Sequence, residues 1–146
     1  MSDTFRILVT GSRDFDDSDM LSLQLGMAVG DGRRTGRPVI VVHGDCPTGA
    51  DRMADTLAEA HGIARDPRPA DWQAPCRPEC RPGHRRRKGR GPEYCPAAGN
   101  YRNQEMVDTR PDVVLAFFKK GAANSGTSDC VRRAEKAKVP VRRFTA

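Results

Sequence analysis

The 146-residue sequence lacks any long apolar run, and nothing in it approaches the roughly 18 consecutive apolar residues that a membrane-crossing helix needs. The apolar stretch Phe5–Thr10 is too short, and too near the start, to act as the core of a secretory signal. A soluble, cytoplasmic protein without membrane contact is therefore expected. Apolar residues are also sparse, at 37%, while 11 prolines and 14 glycines suggest that part of the chain lies outside any regular core. Two phosphate-binding fingerprints are missing: there is no G-x-G-x-x-G and no G-x-x-x-x-G-K-[ST], which disfavours an ordinary dinucleotide site and a P-loop. The five cysteines are an odd number, and in a reducing compartment this argues against a disulfide framework. The length suits a single domain spanning 1–146 with at most an embellishment.

The formal charge of +6 is unevenly spread. Residues 74–99 hold seven basic side chains (Arg77, Arg81, Arg85, Arg86, Arg87, Lys88 and Arg90) against Glu79 and Glu93, a net +5, and the rest of the chain carries +1. A nearly neutral body is thus interrupted by a compact cationic segment. That segment also holds Cys76, Cys80 and Cys95, is rich in proline and glycine, and shows neither helical nor strand periodicity. It reads as an insertion.

Outside it, apolar runs alternate with helical patterns. Phe5–Thr10, Val39–Val42, Asp112–Phe118 and Val139–Phe144 read as strands, with a weak strand within 63–70. Helices are expected over 17–29, capped by Asp17 or Ser18, over Thr48–His61 with Gly62 as the stop, over Asn100–Thr109 and over Thr127–Lys138. A loop punctuated by Gly30, Gly32 and Gly36 should follow the first helix. This order predicts an α/β fold: a Rossmann-like, three-layer domain with a mainly parallel sheet, because parallel neighbours require crossover helices.

Ligands of such sheets bind at the carboxyl ends of the strands, where loops run into helix N-termini that favour anions. Three loops are suited to this. Thr10-Gly11-Ser12-Arg13-Asp14 combines a glycine, a hydroxyl and an arginine able to grip phosphate in bidentate fashion. His43–Asp51 carries Gly44, Asp45, Thr48, Gly49 and Asp51 into the second helix. Ala123–Asp129 carries Gly126 and Thr127 into the fourth. Singly, each loop fits ordinary turn and capping chemistry; together, at one sheet edge, they indicate a nucleotide-sized site. Asp51 fits either a grip on ribose hydroxyls or a favourable placement on the helix dipole. Trp72 fits a pocket wall or core packing, and His43 reads as a strand-end residue, not a base. Cys46 and Cys130 read as ordinary small residues of the body.

The set Val9-Thr10-Gly11-Ser12-Arg13, His43-Gly44-Asp45, Thr48-Gly49-Ala50-Asp51, Pro69-Ala70-Asp71-Trp72, Arg102-Asn103 with Met106, and Gly126-Thr127 resembles the YspA-like, YpsA-related branch of the SLOG superfamily. The resemblance covers nearly everything except 74–99. It implies a Rossmann-like fold with a nucleotide-type pocket formed by Gly11, Ser12, Arg13, Gly44, Thr48, Gly49, Asp51, Asn103, Gly126 and Thr127. It further implies a homodimer, since relatives in this superfamily often form dimers. The related LOG enzymes, which release a base from a nucleoside monophosphate, use an arginine shortly before a methionine and a glutamate three positions after the threonine of a Gly-Gly-x-Gly-Thr loop. Arg102 occupies the arginine position as the catalytic candidate. Cys130 stands at the glutamate position and Asn124 at the second glycine, so a catalytic acid is either absent or moved to Asp129, whose assignment is conditional on that shift. Sensor, sequesterer and N-glycosidase all remain open.

Within the insertion, Cys76, Cys80, His84 and Cys95 have the spacing C-x3-C-x3-H-x10-C. Three thiols and an imidazole satisfy tetrahedral zinc, and a segment this poor in apolar residues has few other means of ordering itself, so a structural zinc site is expected. The run Arg85–Arg90 would form a cationic tip able to attract a phosphorylated ligand or nucleic acid in the manner of the DprA relatives, through phosphate contacts without sequence preference. Only Tyr94 and Tyr101 accompany it, which gives little support for base stacking.

Overall fold

The continuously apolar segments become the middle of the sheet. In the computed structural model, which describes residues 3–146, β1 (Phe5–Gly11) lies at the centre, flanked by β2 (Val39–His43) and β6 (Val113–Phe118), with β3 (Ala64–Pro67) and β7 (Val141–Thr145) at the edges. All five strands run parallel, in the order β3-β2-β1-β6-β7. The register sets Ile7 opposite Val41 on one side and Val113 on the other. Both faces are covered, which is why alternation is lost in the central strands. Ile7, Val9, Leu115 and Phe117 face α1 (Ser18–Arg34) and α2 (Gly49–Ala60), whereas Leu8, Val42 and Val114 pack with Met106, Cys130 and Ala134 on the opposite face. That second face is formed by α3 (Ala98–Asp108) and α4 (Ser125–Lys136). The expected three-layer α/β arrangement is what forms.

Several boundaries differ from expectation: α4 runs two residues earlier at both ends than the expected Thr127–Lys138, β7 starts at Val141 and not Val139, and α1 and α3 differ as follows. Helix α1 does not end near Val29; it continues through Gly30 and Gly32 to Arg34 and stops at Gly36, which adopts φ +77. Gly32 is required inside it because a Cβ there would lie 2.5 Å from a ring carbon of Phe5 and 2.8 Å from Val39. Helix α3 begins at Ala98, within the segment expected to be irregular. The inserted segment also contains a two-residue antiparallel hairpin, β4 (Arg86–Arg87) and β5 (Glu93–Tyr94).

The chain passes from β1 to β2 on one side and reaches β6 on the other, so the sheet has its topological switch point between β1 and β6. Loops leaving these two strands diverge there to opposite faces and open a crevice. No helix among the described residues is long and apolar enough to cross a membrane.

Candidate functional site

The crevice is a cleft of about 630 Å³ at the carboxyl ends of β1 and β6. Its lining includes Thr10–Asp14 from the first loop, Cys46 and Asp51 from the second, Asn124–Thr127 with Asp129 from the third, and Arg102 and Asn103 from α3. The three loops expected to meet do meet.

The first loop is held by its backbone. The Ser12 N–H donates to the Phe117 carbonyl (3.1 Å), and its own carbonyl accepts from the N–H groups of Phe15 (3.1 Å) and Ala50 (3.4 Å). Its buried hydroxyl accepts from the Asp14 N–H at 3.1 Å, closing a tight turn. Gly11 lets this turn approach β6 and α2, since a Cβ there would fall 2.5 Å from the Ala50 Cβ and 2.9 Å from the Phe117 carbonyl. Arg13 is left exposed on the lining, with no carboxylate within ion-pair distance among the described residues.

Gly44, Thr48 and Gly49, placed in ligand contact by the sequence reading, lie outside the cleft lining and shape it from behind. Gly49 adopts φ +76, and a Cβ on it would lie 2.7 Å from the Arg13 Cα and collide with the Ser12 carbonyl. The Thr48 hydroxyl donates to the Arg13 carbonyl at 3.1 Å. Together these two residues press the second loop onto the first. The missing side chain of Gly44 leaves room for Arg102, whose Nη1 donates to the Gly44 carbonyl at 2.5 Å and to the Arg68 carbonyl at 3.3 Å.

Asp51 is 5% exposed. Its Oδ2 accepts from the N–H groups of Gly44 (3.1 Å) and Cys46 (3.4 Å), so it organises the second loop and does not merely face the helix dipole. Burial pushes its pKa up, against the opposing pull of His43 and Arg102. The Cys46 thiol is also pushed up, by burial first and then by the Asp51 charge. Cys46 lines the cleft, a placement its reading as an ordinary body residue did not include. His43 matches its expected strand-end role: its Nδ1 accepts from the Asp45 N–H at 3.0 Å, so Nε2 donates to Asp55 at 2.8 Å. Cys130 is fully buried against the sheet, its thiol pushed up to about 12 by burial.

The third loop is closed by Asn124, whose importance the sequence did not disclose beyond its departure from the glycine pattern. It adopts φ 52, its Oδ1 accepts from the Lys119 N–H (2.9 Å), and its Nδ2 donates to the carbonyls of Lys119 (2.8 Å) and Ala122 (2.9 Å). The N-terminus of α4 is thereby aimed into the cleft, a placement that favours an anion.

Asp129, the conditional catalytic acid, is engaged on both oxygens. Asn103 Nδ2 donates to it at 3.1 Å, Arg132 Nη2 at 2.5 Å and Arg133 Nε at 2.9 Å. These three donors occupy three of the roughly four lone-pair sites of the carboxylate, two on Oδ2 and one on Oδ1, and Asp129 still borders the cleft. Asn103 is likewise committed: besides Asp129 it donates to the Gly126 carbonyl (3.2 Å) and accepts from Arg102 Nε (3.1 Å). Arg102 ties α3 to the second loop while still lining the cleft. Arg132, which the sequence reading passed over, stands at the cleft mouth with a 71% exposed side chain.

One wall comes from the inserted segment and its flanks: Trp72, Pro96, Gly99 and Asn100. The Trp72 ring packs edge-on to Tyr94 at a centroid distance of 6.2 Å.

Cys76, Cys80, His84 and Cys95 converge, their ligand atoms all lying within 4.8 Å of one another. Tetrahedral zinc with Zn–S of about 2.3 Å and Zn–N of about 2.0 Å sets ligand–ligand edges of about 3.8 and 3.5 Å. The Cys80–Cys95 sulfur pair is 3.8 Å apart and Cys95 Sγ lies 3.4 Å from His84 Nε2, with the tightest edge, Cys76 Sγ to His84 Nε2, at 2.9 Å. The group can hold a metal ion. Around it, the Tyr101 hydroxyl lies 2.9 Å from Cys80 Sγ and Arg85 Nη1 lies 3.5 Å from Cys76 Sγ.

The cationic run divides into two sets. Arg85 turns inward to the Ala74 carbonyl (2.9 Å) and Glu93, and Arg87 pairs with the same Glu93 at 3.4 Å. Arg86, Lys88 and Arg90 are exposed and have no carboxylate partner among the described residues.

A family model described as the YspA, cpYpsA-related SLOG family matches residues 5–74, which hold β1 to β3, the first two cleft loops and Trp72. The Gene 61 protein of Mycobacterium phage D29 is 32% identical over 148 residues, an alignment covering 95% of this chain and 95% of that protein. No solved structure matches.

Proposed function

This chain belongs to the YspA, cpYpsA-related SLOG family, and we propose that it binds a nucleotide or nucleotide-derived ligand in the switch-point cleft, as a sensor or sequesterer. Membership itself suggests nucleotide-related binding. The observation that carries the reading further is the placing of Arg13 and the α4 N-terminus on one 630 Å³ cleft, a volume within the range of small-ligand sites. These groups suit the phosphate end, and the Trp72 wall offers an aromatic surface for the base.

Binding without turnover is favoured over N-glycosidase action. Base release needs a group to stabilise the developing ribosyl cation or to direct the nucleophile. Asp129 already accepts from Asn103, Arg132 and Arg133, whose charge and hydrogen bonds hold it in place, and Cys130 is buried where the LOG glutamate would stand. The test is to incubate the protein with AMP, GMP, CMP and UMP, measuring affinity by calorimetry and free base by chromatography. The expected result is saturable binding without base release. Release of free base would restore the hydrolase reading, and no affinity for any of the four at millimolar concentration would overturn the ligand reading.

Zinc is the ion best suited to the Cys3His group. With four protein ligands it has no open position, so its contribution is to order the inserted segment, and no chemical step passes through it. Three thiols held in ligating geometry suit a reducing compartment, which favours a cytoplasmic location. A second reading, attachment to nucleic acid, is favoured by the unpaired tip of Arg86, Lys88 and Arg90, whose contacts would be to phosphate alone.

A further inference from the structure

Resting on the reading of the cleft as a ligand site, we propose that metal binding at Cys76, Cys80, His84 and Cys95 sets the cleft's ligand affinity, so that the metal is an effector of binding as well as a staple. Three connections join the two sites. The Cys95 N–H donates to the Trp72 carbonyl at 2.7 Å, so one metal ligand holds the backbone of the residue whose ring forms the cleft wall. Helix α3 starts directly after that ligand, with the Ala98 N–H donating to the Cys95 carbonyl at 3.1 Å. Its first two turns then deliver Gly99, Asn100, Arg102 and Asn103 to the cleft. The third connection is Tyr101, on the same helix, whose hydroxyl meets Cys80 Sγ at 2.9 Å while the Arg77 guanidinium stacks 4.3 Å from its ring centre.

These links form a contiguous path. A Cβ on Gly99 would come within 3.1 Å of Trp72 Cη2, so the indole and the start of α3 are in close contact and cannot shift independently. Arg102 passes any displacement of α3 to the second loop through the Gly44 carbonyl and to the end of β3 through the Arg68 carbonyl. Between residues 74 and 97, Cys95 is the only buried residue, so little hydrophobic burial holds this segment in place without its metal. The coupling is reciprocal: whatever factor the metal contributes to ligand affinity, the ligand contributes to metal affinity.

The test uses the full chain, stripped by chelator in reducing buffer and titrated with Zn²⁺. Trp72, the single tryptophan, provides the emission signal. Backbone exchange over residues 98–103 and AMP affinity are measured with and without metal. One zinc per chain, a change in Trp72 emission, slower exchange over 98–103 and AMP binding at least tenfold tighter in the loaded protein are expected, in line with couplings of about 5- to 150-fold. Tyr101→Phe keeps all four ligands and is expected to bind one zinc with a smaller AMP ratio. Failure to bind zinc, zinc binding that leaves Trp72 and residues 98–103 unchanged, or equal AMP affinity in the two states would each overturn the proposal. AMP binding in neither state would instead overturn the ligand reading of the cleft, and the Trp72 response would still decide whether the metal moves its wall.

Discussion

Asp51 shows how one buried side chain holds a loop at the cleft. A carboxylate removed from water costs free energy unless its lone pairs are used, and Oδ2 is used by two backbone N–H groups. Burial still raises its pKa, so the folded state holds the proton to a higher pH than the unfolded chain does. The sign follows: Asp51 favours folding most below its unfolded pKa of about 3.9, and that contribution is lost as pH rises through the folded value. Asp55 and Asp66 behave oppositely. Partners such as His43, Arg65, Arg6 and Arg68 hold their pKa values down, so their contribution is lost as pH falls. The stability of Asp51→Asn relative to wild type is therefore expected to improve as pH rises above about 4 and then level off. Urea unfolding midpoints of the two proteins across pH 3–8 check this (range chosen around the carboxylate pKa of about 4); a flat difference would contradict it.

At the scale of elements, the glycines of α1 illustrate a conflict between local propensity and packing. Alanine at position 32 would gain about 1 kcal/mol of helix propensity over glycine. Its Cβ would nonetheless meet Phe5 at 2.5 Å and Val39 at 2.8 Å, an overpacking cost of about 1–3 kcal/mol. The clash involves the buried Phe5 ring at the start of the central strand, so Gly32→Ala is expected to destabilise by about 1 kcal/mol net. Gly26→Ala, where nothing lies within 4 Å of the new Cβ, is expected to stabilise by up to about 1 kcal/mol. Chemical denaturation of both variants provides the comparison.

The same contrast explains what was legible in the sequence. Strands β1, β2 and β6 were readable because burial on both faces demands uninterrupted apolar residues. Gly32 is ambiguous because a glycine needed for close helix–sheet approach looks in sequence like one that ends a helix, and Gly30, with only the Arg34 side chain near its Cβ position, is simply tolerated within the helix. The cleft loops were readable from their glycines and hydroxyls at strand ends. Whether a given glycine contacts ligand or makes space for Arg102, as Gly44 does, depends on residues 58 positions apart and leaves no local signal. Arg132 carries no local signal for a similar reason, since a helix surface arginine is ordinary apart from its position on the cleft lining. The Cys3His group was legible because ligand chemistry is carried by residue type and spacing.

For the whole molecule, the surplus charge is concentrated on an appendage while the cleft belongs to a nearly neutral body. The pairing of Arg85 and Arg87 with Glu93 reduces the accessible charge of the hairpin to Arg86, Lys88 and Arg90. If that tip engages nucleic acid, replacing the three by serine should weaken single-stranded DNA binding uniformly across sequences. The slope of log affinity against log salt should fall by about 2, at roughly 0.7 for each phosphate that is no longer neutralised. AMP affinity should be unchanged. Unaltered DNA binding in that variant would remove the hairpin from the account.

Amide NMR of the zinc-loaded full chain titrated with AMP decides whether the crevice between β1 and β6 takes the proposed ligand. Saturable shifts are expected at residues 10–14 and 124–129 and at the Trp72 indole, with a weaker titration in Arg13→Ala. Removal of a charge-assisted phosphate hydrogen bond worth about 1.5–3 kcal/mol corresponds to at least a tenfold drop in affinity. Shifts confined to residues 86–90, or none at millimolar AMP, would contradict this placement of the ligand.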